Sequence, residues 1–219
     1  MEMESYFSAY RKNIVGIDQT FLSPYGEQKM LYADWTASGR LYGPIEEKMR
    51  DMFGPFVGNT HSESTITGGL MTHAYHHAHA IIKKHVHAGA DDVLLFVGTG
   101  MTAAINKFQR ILGLKLPDRF KRDILVSEKD RPIVFTTHME HHSNQTTWYE
   151  TIADVYVIQP TADGKVDCND LRKALQRNEE RVFKIGSFSA CSNVTGIETP
   201  YHDLAAIMHE HNGIAIVDF

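Results

Sequence analysis

From about Asp91 onward the sequence alternates short, β-branched apolar runs with stretches of helical spacing, and this alternation restricts the possible folds more than any other feature. The apolar runs cover residues 93–97, 133–137, 155–158, 182–188 and 214–219. Near-continuous apolar strands separated by helices predict an α/β domain whose mostly parallel sheet carries helices on both faces. Over 103–114, Ala104, Ile105, Phe108, Ile111 and Leu112 recur at helical intervals, and Gly113 is placed to end the helix. Asn169 and Asp170 are suited to cap a helix over 171–176. Leu204, Ile207 and Met208 share one face of a helix over 201–210, with Asn212-Gly213 as its stop. The first ninety residues differ in character. Pro24, Gly26, Gly39, Gly43, Pro44, Gly54, Pro55 and Gly58 punctuate them, so they read as a loop-rich arm with short helices near 45–53 and 71–87. Residues 115–131 are charged and read as a surface excursion.

With 219 residues the chain is long enough to bury a core, and its net charge of −5 gives no electrostatic reason to expect a nucleic acid partner. No window reaches the roughly 18 apolar residues of a membrane span, and the first ten residues are acidic and polar rather than leader-like. A soluble cytoplasmic protein is therefore expected. Two cysteines, Cys168 and Cys191, make no disulfide framework.

Five motifs can carry chemistry. The run 93–106 reads as a buried strand turning through Gly98 and Gly100 into a helix, a junction whose free N–H groups and positive helix end suit a phosphate. Gly98, Gly100 and Ala103 also fit G-x-G-x-x-A, the dinucleotide fingerprint, but the acidic residue wanted about 20 positions later is missing. An ordinary tight turn is the plainer reading. Next, Glu140-His141-His142-Ser143-Asn144 follows a strand, where ligands of open α/β sheets bind. Its histidines can ligate a metal, lie flat on an aromatic cofactor ring, or simply pack. In the third, Ser192-Asn193-Val194-Thr195-Gly196 also follows a strand, and Cys191 beside it reads better as a core residue than as a nucleophile. The fourth is Asp218, one carboxylate ending an apolar strand, which calls for a positive partner such as a protonated ring nitrogen. Finally, His73 and His77 share a helix face at i, i+4, a metal-capable spacing here without an acidic second shell.

Taken in order, these pieces resemble the class V aminotransferase family of pyridoxal-phosphate enzymes, most closely its cysteine desulfurase and selenocysteine lyase branch. The resemblance runs from about Leu31 to Phe219. Leu31-Tyr32-Ala33-Asp34 with Ala37 is similar to the family's opening "L-D-N-A-A-T-T", Trp35 and Thr36 being departures, and Gly58-Asn59-Thr60-His61 looks like its "A-N-x-H". Gly100 to Asn106 resembles the phosphate loop "G-T-T-E-A-I-N", with Met101 in place of a Thr and Ala103 in place of the Glu. Glu140 to Asn144 resembles "E-H-H-A/S-N", Ser192 to Gly196 "S-N-V-x-G", and Val217-Asp218 the family's "V-D".

The resemblance implies a fold-type I large domain and pyridoxal 5'-phosphate as cofactor. It implies that Gly100, Met101 and Thr102 hold the phosphate, His141 stacks on the pyridine ring, Asn193 bonds its phenolic oxygen and Asp218 pairs with its ring nitrogen. It further implies a transferase or lyase acting at Cα or the side chain of a small amino-acid substrate through an external aldimine, and a homodimer. The family's Schiff-base lysine follows the aspartate by a few tens of residues, and Lys184, the last lysine here, precedes it. Residues 1–30 are accordingly expected to form an arm and 31–219 a large domain that stops before that lysine and the small domain, inactive alone and left with an open sheet edge. The alternatives are a nicotinamide-type oxidoreductase built on the glycine turn, a metal-dependent hydrolase built on the histidines, and a non-catalytic truncated interaction protein.

Overall fold

In the computed structural model the described residues are 3–35, 38–117, 119–120 and 125–219. They fall into two compact units, residues 1–95 and 96–219, each described here by itself.

The first unit opens with α1 (Met3–Arg11) and a hairpin of β1 (Thr20–Ser23) and β2 (Gly26–Lys29), neither of which the Gly/Pro punctuation predicted. Gly26 takes a φ of 96° as the chain turns into β2, a conformation that glycine reaches without steric cost. α2 (Gly43–Lys48), with Pro44 in its first turn, runs into a π-helical turn over Met49–Phe53. α3 (Ile66–His85) begins five residues before the helix expected at 71. Thr65 supplies the start, its hydroxyl accepting from the Gly68 N–H. Residues 31–35 are irregular, and Thr36 and Ala37 of the same motif lie outside the described residues.

The second unit contains α4 (Gly100–Ile111), β3 (Ile133–Thr136), α5 (His142–Tyr149), β4 (Asp154–Val157), α6 (Cys168–Arg177), β5 (Lys184–Ser189), α7 (Tyr201–Glu210) and β6 (Ile214–Asp218). Its sheet has the order β4-β3-β5-β6 and every pairing is parallel. The two central strands are buried along their whole length, and alternate residues divide between two cores. Ile133, Phe135 and Phe188 pack with Leu171 and Leu175 of α6 and Leu204, Ile207 and Met208 of α7. Val134 and Ile185 face the other way, onto Ile105 of α4 and Trp148 of α5. Burying Phe188 and Leu171 completely contributes about 1.5–3 kcal/mol each.

Four of the five expected strands form. The fifth, residues 93–97, does not: it is irregular, with Val93 81% and Leu95 58% exposed. Apolar composition supplies strand propensity but not the hydrogen-bonding neighbour that a strand needs. The cap expected at Asn169 or Asp170 also moves. Asp167 caps α6 by accepting from the Asn169 N–H, and Asp170 instead accepts from the Tyr156 hydroxyl and the Gln159 N–H. Of the excursion over 115–131, residues 118 and 121–124 lie outside the described residues. Among the described residues, no helix is long and apolar enough to cross a membrane.

Candidate cofactor site

The parallel sheet brings the carboxyl ends of β3, β5 and β6 to one edge, and the sequence motifs follow directly on those ends. The glycine turn enters α4 through two consecutive left-handed residues, Thr99 at φ 64° and Gly100 at φ 73°. No side chain caps this helix, unlike α3, α5 and α6, which Thr65, His141 and Asp167 cap. The first-turn N–H groups of α4 are thus available to an anion, with the helix dipole adding attraction.

His141 caps α5, its Nδ1 accepting from the Ser143 N–H at 3.3 Å and lying 2.7 Å from the Ser143 hydroxyl. In the tautomer that accepts at Nδ1, the N–H of the ring is on Nε2. Ser143 Oγ also lies 3.5 Å from the Met101 sulfur, which joins the start of α5 to the start of α4. Met101, in the first turn of α4, therefore lies against Ser143, the residue that His141 caps.

Asp218 ends β6 in register with Ser189 of β5. Among the described residues none donates a hydrogen bond to its half-buried carboxylate. Burial pushes its pKa above the usual carboxylate range and Glu140 pushes it further, while His141 opposes the shift. A carboxylate held this way is primed for a cation. Asn193 lies in the loop after β5, exposed, beside a hollow of about 310 Å³ that Glu140, His138 and Gly164 also line.

The residue whose role sequence reasoning missed is Glu140. Its Oε1 accepts from the Thr137 N–H (3.2 Å), the Thr137 hydroxyl (2.6 Å) and the Ser189 N–H (3.1 Å). Its Oε2 accepts from Asn144 Nδ2 (2.6 Å) and the Ser189 hydroxyl (2.7 Å). Asn144 is fully buried and in turn accepts from Ser187 Oγ at 2.6 Å. One carboxylate thus ties the ends of β3 and β5 to α5, through hydrogen bonds of a charged kind that contribute roughly 1.5–3 kcal/mol each. The signal lay in the small hydroxyl residues crowding both strand ends, each a donor in search of an acceptor.

This network also bears on the rival readings. Glu140, the first acidic side chain after β3, is already occupied by five donors, so it is not free to hold a ribose. The loop histidines turn apart, His138 Nε2 to the Gly164 carbonyl and His141 to Ser143. Among the described residues no three His, Cys, Asp or Glu side chains are grouped for a metal. Cys191 is exposed rather than in the core as expected, because the chain leaves the sheet one residue before it. Lys184 is buried at the opposite end of β5, its Nζ donating to the Arg181 carbonyl.

Comparison with known proteins places the chain in a family. The family model for aminotransferase class-V matches residues 31–219, and the chain belongs to that family. A probable cysteine desulfurase of Halalkalibacterium halodurans is 27% identical over 193 residues, 86% of this chain and 44% of the relative. One from Haemophilus influenzae is 30% identical over 149 residues, 66% of this chain and 30% of the relative. Among solved structures, the apo cysteine desulfurase of Thermococcus onnurineus superposes with a TM-score of 0.70 at 19% identity, covering 97% of this chain and 47% of that one. Cysteine desulfurase CsdA of Escherichia coli gives 0.62 at 20% identity, covering 85% and 44%. The fold is thus that of the cysteine desulfurases, and the chain spans less than half the length of the relatives it matches.

Proposed function

We propose that this chain carries the cofactor-binding part of a pyridoxal-phosphate enzyme of the cysteine desulfurase type, acting on a small amino acid. The observation that carries the reading is the meeting of an uncapped helix start, a ring-bearing side chain and an unpaired carboxylate at one sheet edge. Each suits a different part of pyridoxal phosphate. The α4 amides with Thr102 suit the phosphate, His141 offers a ring to lie against the pyridine, and Asp218 suits the protonated ring nitrogen. Asn193, exposed in the loop after β5, is assigned to the phenolic oxygen. When bound, the cofactor supplies an electron sink for bonds at the Cα of an amino acid. The chain's own contribution is to orient the ring and to hold a proton on its nitrogen.

Lys184 lies at the wrong end of β5 to reach this crevice, so the 219 residues alone are proposed to bind the cofactor without turnover. Dimerisation and a cytoplasmic setting are part of the same reading. Exposed Tyr6, Phe7 and Tyr10 on α1 support the first, and the two free cysteines support the second.

Titration with pyridoxal phosphate, followed by absorbance and by quenching of intrinsic fluorescence, tests the proposal. Saturable binding is expected, weakened at least about tenfold, or 1.4 kcal/mol, by Asp218→Asn. Binding that is indifferent both to this change and to His141→Ala would overturn it.

A further inference from the structure

We propose that Glu140 is a positioning residue of the cofactor site, a fixed negative charge behind Asp218 that adds to its attraction for a protonated ring nitrogen and so resists loss of the ring proton to solvent. The inference rests on the reading that Asp218 faces that nitrogen, and it goes beyond it by assigning a second carboxylate to the same task.

The geometry has three parts. Glu140 accepts hydrogen bonds from five donors on β3, β5 and α5 and from no residue able to take a proton, so its surroundings are built for the anion. Two of those donors belong to Ser189, whose register partner across the ladder is Asp218. Asp218 on β6 is the titratable group coupled to Glu140, and His141 at the start of α5 acts on the same Asp218 with the opposite sign, while His138 in the loop of Glu140 is turned to the Gly164 carbonyl. A carboxylate pinned this way cannot swing to the ligand. It acts through the field it adds: release of the ring proton to solvent would leave two neighbouring carboxylates without a cation, so Glu140 raises the pH at which that proton is lost.

The network also predicts which substitution separates charge from structure. In Glu140→Gln the amide oxygen can keep the Thr137 N–H, the Thr137 hydroxyl and the Ser189 N–H. The new amide hydrogens then need two acceptors. The Ser189 hydroxyl provides one by rotating, and Asn144 provides the other by flipping its amide, which turns its nitrogen toward the Ser187 hydroxyl. Charge is removed and every bond is kept. Glu140→Asp does the reverse, keeping the charge while shortening the reach to the five donors.

The test uses pyridoxal phosphate labelled with ¹⁵N in the ring, bound to the protein and its variants, with the ring-nitrogen shift followed against pH and melting measured in parallel. Glu140→Gln is expected to melt within a few degrees of the parent while binding the cofactor about 3- to 30-fold more weakly and releasing the ring proton at lower pH. Glu140→Asp is expected to melt lower and keep the ring protonated. If Asp218→Asn moves the ring titration and Glu140→Gln does not, the role of Glu140 is refuted and the cofactor reading stands. If Asp218→Asn does not move it either, the cofactor reading itself has failed. A Glu140→Gln protein that no longer folds also refutes the proposal, because it makes the residue a structural clamp alone.

Discussion

Asp218 costs the ligand-free protein stability. Its carboxyl is easier to protonate folded than unfolded, so ionisation at neutral pH disfavours the folded state, and the penalty is relieved as pH falls through its raised folded pKa. Asp218→Asn should therefore melt above the parent at pH 7.5, with the difference shrinking toward pH 4, even as cofactor binding is lost. Thermal melts at several pH values read this directly. Thr102 offers a second such separation. Aspartate at this first-turn position of α4 favours the helix dipole by about 0.3–1 kcal/mol. Thr102→Asp should hold or raise the melting temperature and weaken pyridoxal phosphate binding more than tenfold, measured by fluorescence titration.

At the scale of elements, β5 is the strand on which the site depends, and its tightest position is Gly186. A Cβ there would fall 2.5 Å from Phe188 Cζ and 2.8 Å from Met208 Cγ, both fully buried. Gly186→Ala should cost about 1–3 kcal/mol in a denaturant melt, and cofactor affinity should fall with it as the Ser187 and Ser189 anchors shift.

β5 also illustrates what sequence can show. Its apolar character and the polar residues at its end announced a buried strand leading to a site, and the same logic held for β3 and β6. The mutual arrangement of Glu140, Asn144, Ser187 and Ser189 did not follow from spacing, because their partners are 43 and 49 residues apart in sequence and meet only through the register of the ladder. The run 93–97 misled for the opposite reason. Its residues have strand propensity, but pairing is decided by what lies beside them. α6 began three residues before the expected helix because Asp167, not Asn169 or Asp170, makes the cap.

Over the whole molecule, apolar side chains remain in contact with water in both units. Leu31 is 92% exposed, Val93 81% and Leu125 99%. Surfaces of this kind favour association. The 219-residue chain is expected to self-associate as its concentration rises and to bind an apolar dye, as sedimentation velocity and dye fluorescence would show. A monomer over a hundredfold concentration range would contradict this.

The spatial order β4-β3-β5-β6 has a consequence in time. β3 and β4 emerge from the ribosome first and can pair at once, but the other edge of β3 waits for Lys184–Ser189, about 30 residues beyond the end of β4. At about 5–20 residues per second that is roughly 2–6 s of synthesis. Throughout it the nascent chain displays the bare edge of an apolar strand, a target for chaperones and for neighbouring copies alike. Slowing translation between residues 158 and 184 should therefore lower the soluble yield, whereas slowing it after 189 should matter far less.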